Sequence, residues 1–199
     1  MGSEMCIRDR PFAARVSAKL RQKHPNLSIE IYSESTQAIA RRLNDFSLDA
    51  GILYFDDGDP ETTEKLYEER YVFIAPNSLK ILKDKQITWE EVAQFPLCLL
   101  TQNMRNRQLI DQQFFELGIS PKIVTEASDF TGVLAQVALG NAATIAPVSV
   151  AETFLDLKST VHLDLTHPVM IHSVGLSIKD QSPVLPIIKA LRQAVKAAL

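Results

Sequence analysis

Apolar positions recur along the chain at two alternating periods, and that alternation sets the fold class. Pro11 to Lys23 places Phe12, Val16 and Leu20 four apart, the spacing of a helix with one apolar face, with Pro11 in the first turn where a missing donor costs nothing. His24-Pro25 ends it. Leu27, Ile29 and Ile31 alternate with polar residues, which predicts a strand with one buried face. Ser35 or Thr36 then caps a helix carrying Ile39 and Leu43. Leu48 to Phe55 is a nearly unbroken apolar run, suited to a parallel strand covered on both faces, with the strand itself at Ala50 to Tyr54. A further strand spans Glu69 to Ala75, and Pro76, which lacks a backbone donor, stops it.

The pattern continues in the second half. Thr88-Trp89-Glu90-Glu91 has the form of a capping box opening a short helix that Pro96 closes off. Leu97 to Leu100 is an apolar strand; Met104 to Leu117 is a helix with Ile110, Phe114 and Leu117 on one stripe and Gly118 at its C-terminal stop. Lys122 to Glu126 alternates as a strand, and Ser128 or Asp129 caps a helix that ends at Gly140. Ala142 to Pro147 gives another strand, followed by a short helix around Val148 to Phe154. Strands at Val161 to Leu165 and His172 to Ile178 lead to a final helix that opens at Ser182-Pro183 and keeps Val184, Ile188, Leu191 and Val195 on one face. Strands and helices alternate throughout with no internal repeat, so the expected class is α/β with mainly parallel sheets.

Composition narrows the function classes. At 199 residues, 46% hydrophobic and 23% charged, the chain is a globular protein large enough for one or two lobes. A net charge of -3 gives no general attraction to phosphate backbones, so this segment carries no nucleic-acid footprint. Two cysteines, Cys6 and Cys98, make neither a disulfide framework nor a CxxC metal pair, and Cys98 reads as a small core hydrophobe. No window approaches the roughly 20 apolar residues of a membrane span, and no apolar leader precedes the fold, so the expected location is the cytoplasm. The first ten residues, MGSEMCIRDR, join poorly to the helix beginning at Pro11; MCIRDR resembles a recurrent translated artefact of assembled sequence data, and residues 1–10 are expected to be a non-native leader.

Two stretches carry a family resemblance. LNDFSLDAGILYF, running through an acidic loop into LYEERYVFIAP, resembles the "helix, xLDxGI strand, loop, LYEExYVxIxP" series of the effector-binding domain of LysR-type transcriptional regulators, and VALGNAATIAP at residues 137–147 resembles that family's "VAxGxGxAxxP" stretch. The resemblance covers essentially everything after residue ten. It implies a two-lobed type II periplasmic-binding-protein-like fold with two crossover strands, lobe I at residues 11–75 plus 167–199 and lobe II at 76–166. It also implies a first strand ahead of Pro11, between the Leu27 strand and the xLDxGI strand. Unless Met5 to Arg8 fills that place, two strand edges stand unpaired.

Several helix starts carry hydroxyl or amide side chains: Ser35 and Thr36; Thr101, Gln102 and Asn103; Ser128, Asp129 and Thr131. Free N–H groups and the positive end of a helix dipole favour anions there, although such residues also cap their own helices. The Asp129 carboxylate would already occupy one of these dipoles, an effect Arg105 or Arg107 could offset. The effector contacts that the resemblance implies are Ser35, Thr36, Thr101, Gln102, Thr131, Pro147 and Val148, with Ser128 added from its helix start, in an interlobe cleft; Asp9 and Arg10 stand where the family has a Ser or Thr.

Other chemistry finds little support. Asp56-Asp57-Gly58-Asp59-Pro60-Glu61 has carboxylates and a turn glycine but not the spacing of a calcium loop, and reads as a solvated turn. His24, His162, His167 and His172 form no compact ligand set. Neither a GxSxG elbow, a P-loop nor a dinucleotide fingerprint occurs, so no enzyme, cofactor or metal is expected. The expected function is the effector-sensing module of a LysR-type regulator, binding a small anionic metabolite and controlling oligomer geometry, with DNA contacted only through a separate N-terminal domain. Self-association would set the Pro11 helix and Leu27 to Tyr32 strand of one copy against the Met104 to Leu117 helix of another. The alternative is a solute-binding receptor of a transporter with the same fold.

Overall fold

A computed structural model of the chain describes residues 2–7, 10–55, 63–79, 86–154, 159–179 and 184–199. It divides into two compact units, Met1–Glu68 with His172–Leu199, and Glu69–Ile171. Both divisions fall inside strands: β4 (Thr63–Pro76) changes unit after Glu68, and β10 (Ile171–Ser177) after Ile171. The boundaries expected at Ala75/Pro76 and Thr166/His167 fall at strand ends, whereas the chain changes unit within β4 and β10. The strand expected over Glu69 to Ala75 accordingly begins earlier, at Thr63.

The first unit contains β1 (Gly2–Ile7), α1 (Arg10–Lys23), β2 (Ser28–Tyr32), α2 (Thr36–Asn44), β3 (Ala50–Phe55), the start of β4, β10 and α7 (Pro186–Lys196). Its strand order is β2-β1-β3-β10, with β4 beside β10. The leader is therefore part of the sheet: β1 pairs in parallel with β2, Met5 opposite Ile31, and with β3, Met5 opposite Ala50. A ladder needs only backbone donors and acceptors, which these residues supply, and the edges of β2 and β3 that would otherwise stand open are paired. Phe12, Val16 and Leu20 are fully buried, Phe12 edge-on to Tyr67 at 5.3 Å, and α1 packs on α7. β2 lies at the sheet edge, and Ile31 is 44% exposed, so the single buried face expected for this strand is not formed there. α7 opens at Pro186, which takes the N-terminal proline position, rather than at Ser182-Pro183, which lie outside the described residues.

The second unit contains the rest of β4, β5 (Gln86–Thr88), α3 (Trp89–Val92), β6 (Leu97–Leu100), α4 (Arg105–Glu116), β7 (Ile123–Ala127), α5 (Phe130–Ala138), β8 (Thr144–Pro147), α6 (Val148–Phe154) and β9 (Thr160–Thr166). β4 runs antiparallel to β8 on one side and β9 on the other; β5 joins β9 in parallel. β6 pairs in parallel with β7 and, through Leu97 and Ala143, with the chain entering β8. The class is α/β with mixed sheets. Each described antiparallel pairing involves β4 or β10, the strands in which the chain changes unit, and the remaining pairings are parallel.

Local chemistry explains the elements. The Thr88 capping box forms, the Glu91 N–H donating to Thr88 Oγ1 at 3.4 Å and the Thr88 N–H to Glu91 Oε2 at 2.8 Å. α4 ends where Gly118 adopts φ +67°, with its N–H donating to Phe115 O and that of Ile119 to Phe114 O, each at 3.0 Å, a Schellman arrangement. Trp89 is fully buried, perpendicular to Phe114 at 5.0 Å, and its Nε1–H donates to Pro168 O at 2.9 Å. Cys98 is packed in the core with Leu100, Met104, Val133 and Ala142, and burial pushes its thiol pKa up.

Candidate functional site

In the second unit, β7, β6 and β8 lie side by side in parallel, so the turns leading from them into α5, α4 and α6 sit at one edge, the carboxyl ends of adjacent strands. In open α/β sheets that edge is where ligands are held. The Thr101 N–H donates to Ala127 O at 3.0 Å, which ties the Thr101 to Asn103 turn to the Ser128 to Thr131 turn. The Gly132 Cα lets α5 start close to β7, since a Cβ there would stand 3.0 Å from that of Ala127.

The three helix starts differ in electrostatics. Asp129 caps α5, accepting from the Gly132 N–H at 3.0 Å, so its carboxylate occupies the positive end. At α6, the second residue, Ser149, donates through Oγ to the buried Glu69 at 2.5 Å, which sets another carboxylate beside the first turn. α4 has Met104 at its cap with no side-chain hydrogen bond and no acidic residue in its first turn. Neither α4 nor α6 has an acidic residue in its first turn; at α6 Glu69 accepts from Ser149, whereas the carboxylates beside α4, Asp111 and Glu126, are ion-paired with Arg107.

Around α4 the turn is ordered by its own polar groups. Thr101 Oγ1 donates to Asn103 Oδ1 at 2.7 Å, the Met104 N–H to Thr101 O at 3.0 Å, and Gln108 Nε2 to Gln102 O at 3.2 Å. The Gln102, Ser128 and Thr131 side chains are exposed and Thr101 half-buried. Pro147 is buried opposite Tyr71 in the β4–β8 ladder, and Val148 packs on the core around Val72 and Ile74, so their side chains are structural. In the first unit Ser35 caps α2, accepting from the Ala38 N–H at 3.3 Å, while Thr36 Oγ1 is buried with no hydrogen-bond partner among the described residues.

Arg107 is not available to offset an anion. Its side chain is 4% exposed; Nε donates to both Asp111 oxygens at 2.8 and 2.9 Å, and Nη1 to Leu100 O at 2.9 Å and to Glu126. Burial lowers its pKa, but the hydrogen bonds to Asp111 and Glu126 outweigh that and hold the guanidinium above its ordinary range. Its charge persists at any working pH, and its role is to clamp the ends of β6 and β7 to α4. The Glu69–Ser149 pair and the buried Asn106–Tyr71 hydrogen bond, 3.0 Å, were not expected from the sequence; their partners lie too far apart in the chain for a local pattern to mark them.

The acidic run Asp56 to Glu61 and Asp9 lie outside the described residues. Among those described, no three His, Cys, Asp or Glu side chains are grouped to hold a metal ion, and no helix is long and apolar enough to cross a membrane.

The family model described as the LysR substrate binding domain matches residues 9–199. The chain belongs to that family. Among curated relatives, a probable RuBisCO transcriptional regulator of Trieres chinensis is 26% identical over 156 residues, covering 73% of this chain and 50% of that protein. The HTH-type transcriptional regulator BenM of Acinetobacter baylyi is 23% identical over 171 residues, covering 83% and 56%. The LysR-family chain thus spans about half the length of the curated relatives it matches. Among solved structures, the regulatory domain of Synechocystis CcmR in complex with 2-PG superposes with TM-score 0.83 at 12% identity, covering 98% of this chain and 96% of that one. The reduced OxyR regulatory domain of Pseudomonas aeruginosa gives 0.81 at 17%, covering 99% and 95%, and the effector-binding domain of QuiR with shikimate gives 0.77 at 17%, covering 98% and 95%.

Proposed function

We propose that this chain is the effector-sensing module of a LysR-type transcriptional regulator, taking a small anionic metabolite at the β7-β6-β8 edge with its negative group at the start of α4. The match of the family model over residues 9–199 carries the assignment, and curated relatives described as transcriptional regulators support it. Solved relatives complexed with shikimate and with 2-PG support a small-molecule effector. Thr101, Gln102, Ser128 and Thr131 are the proposed contacts in the second unit, and Pro147 and Val148 contribute through backbone groups; Ser35 and Thr36 are proposed ligand-facing positions of the first unit, taken by itself. An effector that prefers one conformation of the module shifts the population toward it, each tenfold preference being worth about 1.4 kcal/mol.

DNA contact is assigned to a helix-turn-helix segment beyond these residues, and the full protein acts in the cytoplasm as an oligomer. The stripes Phe12, Val16, Leu20 and Ile110, Phe114 are buried within their own units, so self-association is assigned to what they leave outside, Ile31 of β2 and Phe115 of α4, the latter 84% exposed.

Thermal-shift screening of small carboxylic and phosphorylated acids against the 199-residue chain tests this. A hit is expected to raise the melting temperature with saturable concentration dependence, and Thr101→Ala with Thr131→Ala is expected to abolish the rise. A rise unchanged by both substitutions would remove this edge as the effector site, and sequence-specific operator binding by the chain alone would overturn the division of labour.

A further inference from the structure

We propose that the first unit carries a second ligand site, a groove between the α1–β2 turn and the start of α7, which takes a small molecule with an apolar body and one carboxylate. The groove has a volume of about 470 Å³, within the roughly 300–1,000 Å³ of small-molecule sites. Its walls are apolar: Pro25 and Leu27 on one side, Pro186, Ile187 and Ala190 of α7 on the other. Among the described lining residues Lys23 carries charge. Lys23 and His24 stand at the rim, and among the described residues no carboxylate lines the groove and neither of the two is in an ion pair. The start of α7 adds to the same field, since Leu185 at its cap makes no side-chain hydrogen bond to the first turn.

The combination selects the ligand. An apolar body covers Leu27, Ile187 and the prolines and removes their surface from water, which favours binding. The anionic head meets Lys23 and His24 at the rim without leaving water entirely, so it avoids the desolvation cost of a buried charge. Lys23 and His24 are exposed and Leu27, Ile187 and Ala190 half-buried, so substitutions there leave the core of the unit intact.

Amide chemical-shift titration of the 199-residue chain with octanoate, 1-octanol and acetate tests the proposal. Octanoate is expected to shift His24, Asn26, Leu27, Ile187 and Ala190 saturably, with 1-octanol and acetate each binding at least fivefold more weakly. Lys23→Gln with His24→Gln is expected to weaken octanoate at least fivefold and leave 1-octanol unchanged, and Ala190→Trp, which fills the groove, to abolish both. Thr101→Ala is expected to leave octanoate binding intact, which separates this site from the effector edge. Absence of saturable shifts at the groove, or 1-octanol binding as tightly as octanoate, would overturn it. So would probe-free shifts at these residues that grow with protein concentration, because a second copy would then be the occupant.

Discussion

Replacing Arg107 with Met removes the guanidinium while keeping much of the apolar stem, and so isolates what the clamp contributes. Four described hydrogen bonds are lost: two to Asp111, one to Leu100 O and one to Glu126. Breaking a fully buried ion pair costs about 3–5 kcal/mol, chiefly because a charge is stranded without a partner. Here the stranded groups are the carboxylates, whose side chains are 41% and 39% exposed and recover water once released. The remaining cost is the charge-assisted contacts and the donor lost to Leu100 O, about 2–3 kcal/mol in total. Arg107→Lys keeps the charge but cannot span both carboxylates and the carbonyl, and is expected to recover less than half of that. Urea unfolding followed by Trp89 fluorescence reads the effect within the same unit, since Trp89 is the chain's sole tryptophan and fully buried. At an unchanged slope of ~2 kcal/mol per molar, the Met variant's midpoint falls by about 1 M. Arg107→Met within 0.5 kcal/mol of the wild type would refute the clamp and reduce both pairs to surface contacts of about 0–1 kcal/mol.

Two further outcomes rest on local geometry. The Asp45 carboxyl accepts the Ser47 N–H at 3.0 Å, and hydrogen bonds from the Ser47 side chain and backbone lower its pKa below the usual 3.8. A depressed folded-state pKa contributes stability above the unfolded value and loses it as pH falls through the folded one, so Asp45→Asn is expected to be less stable than wild type at pH 6, with the gap closing below pH 3.8 in urea titrations; a gap independent of pH would refute this. Gly118 sits at φ +67° with nothing within 4 Å of an added Cβ, so Gly118→Ala meets only backbone strain and is expected to cost about 1–2 kcal/mol in thermal melts, Gly118→Asn less. An Ala variant as stable as wild type would show that α4 can end without the left-handed turn.

Elements whose pattern is local were legible in the sequence, and those held by distant backbone were not. Leu97–Leu100 and Val148–Phe154 form where the apolar spacing places them, and the Thr88 box closes as its residue types require. β1 has no apolar period to read; its place is supplied by the ladders of β2 and β3. β4 begins at Thr63 through residues that are exposed or half-buried and so display no alternation. The same division holds at the candidate site. Asp129 and Ser35 cap their helices as their positions suggest, and the Arg107–Asp111 pair is a visible i,i+4 spacing that could have warned that Arg107 is engaged. Glu126 lies 19 residues from Arg107, and Ser149 lies 80 from Glu69, so nothing local announces either contact. These long-range contacts decide the electrostatics: one commits Arg107, one of the two cations named as able to offset an acid, and the other brings an acid to the start of α6. The sequence displays the helix starts; the tertiary pairings set Glu69 against the first turn of α6 and commit the carboxylates beside α4 to Arg107.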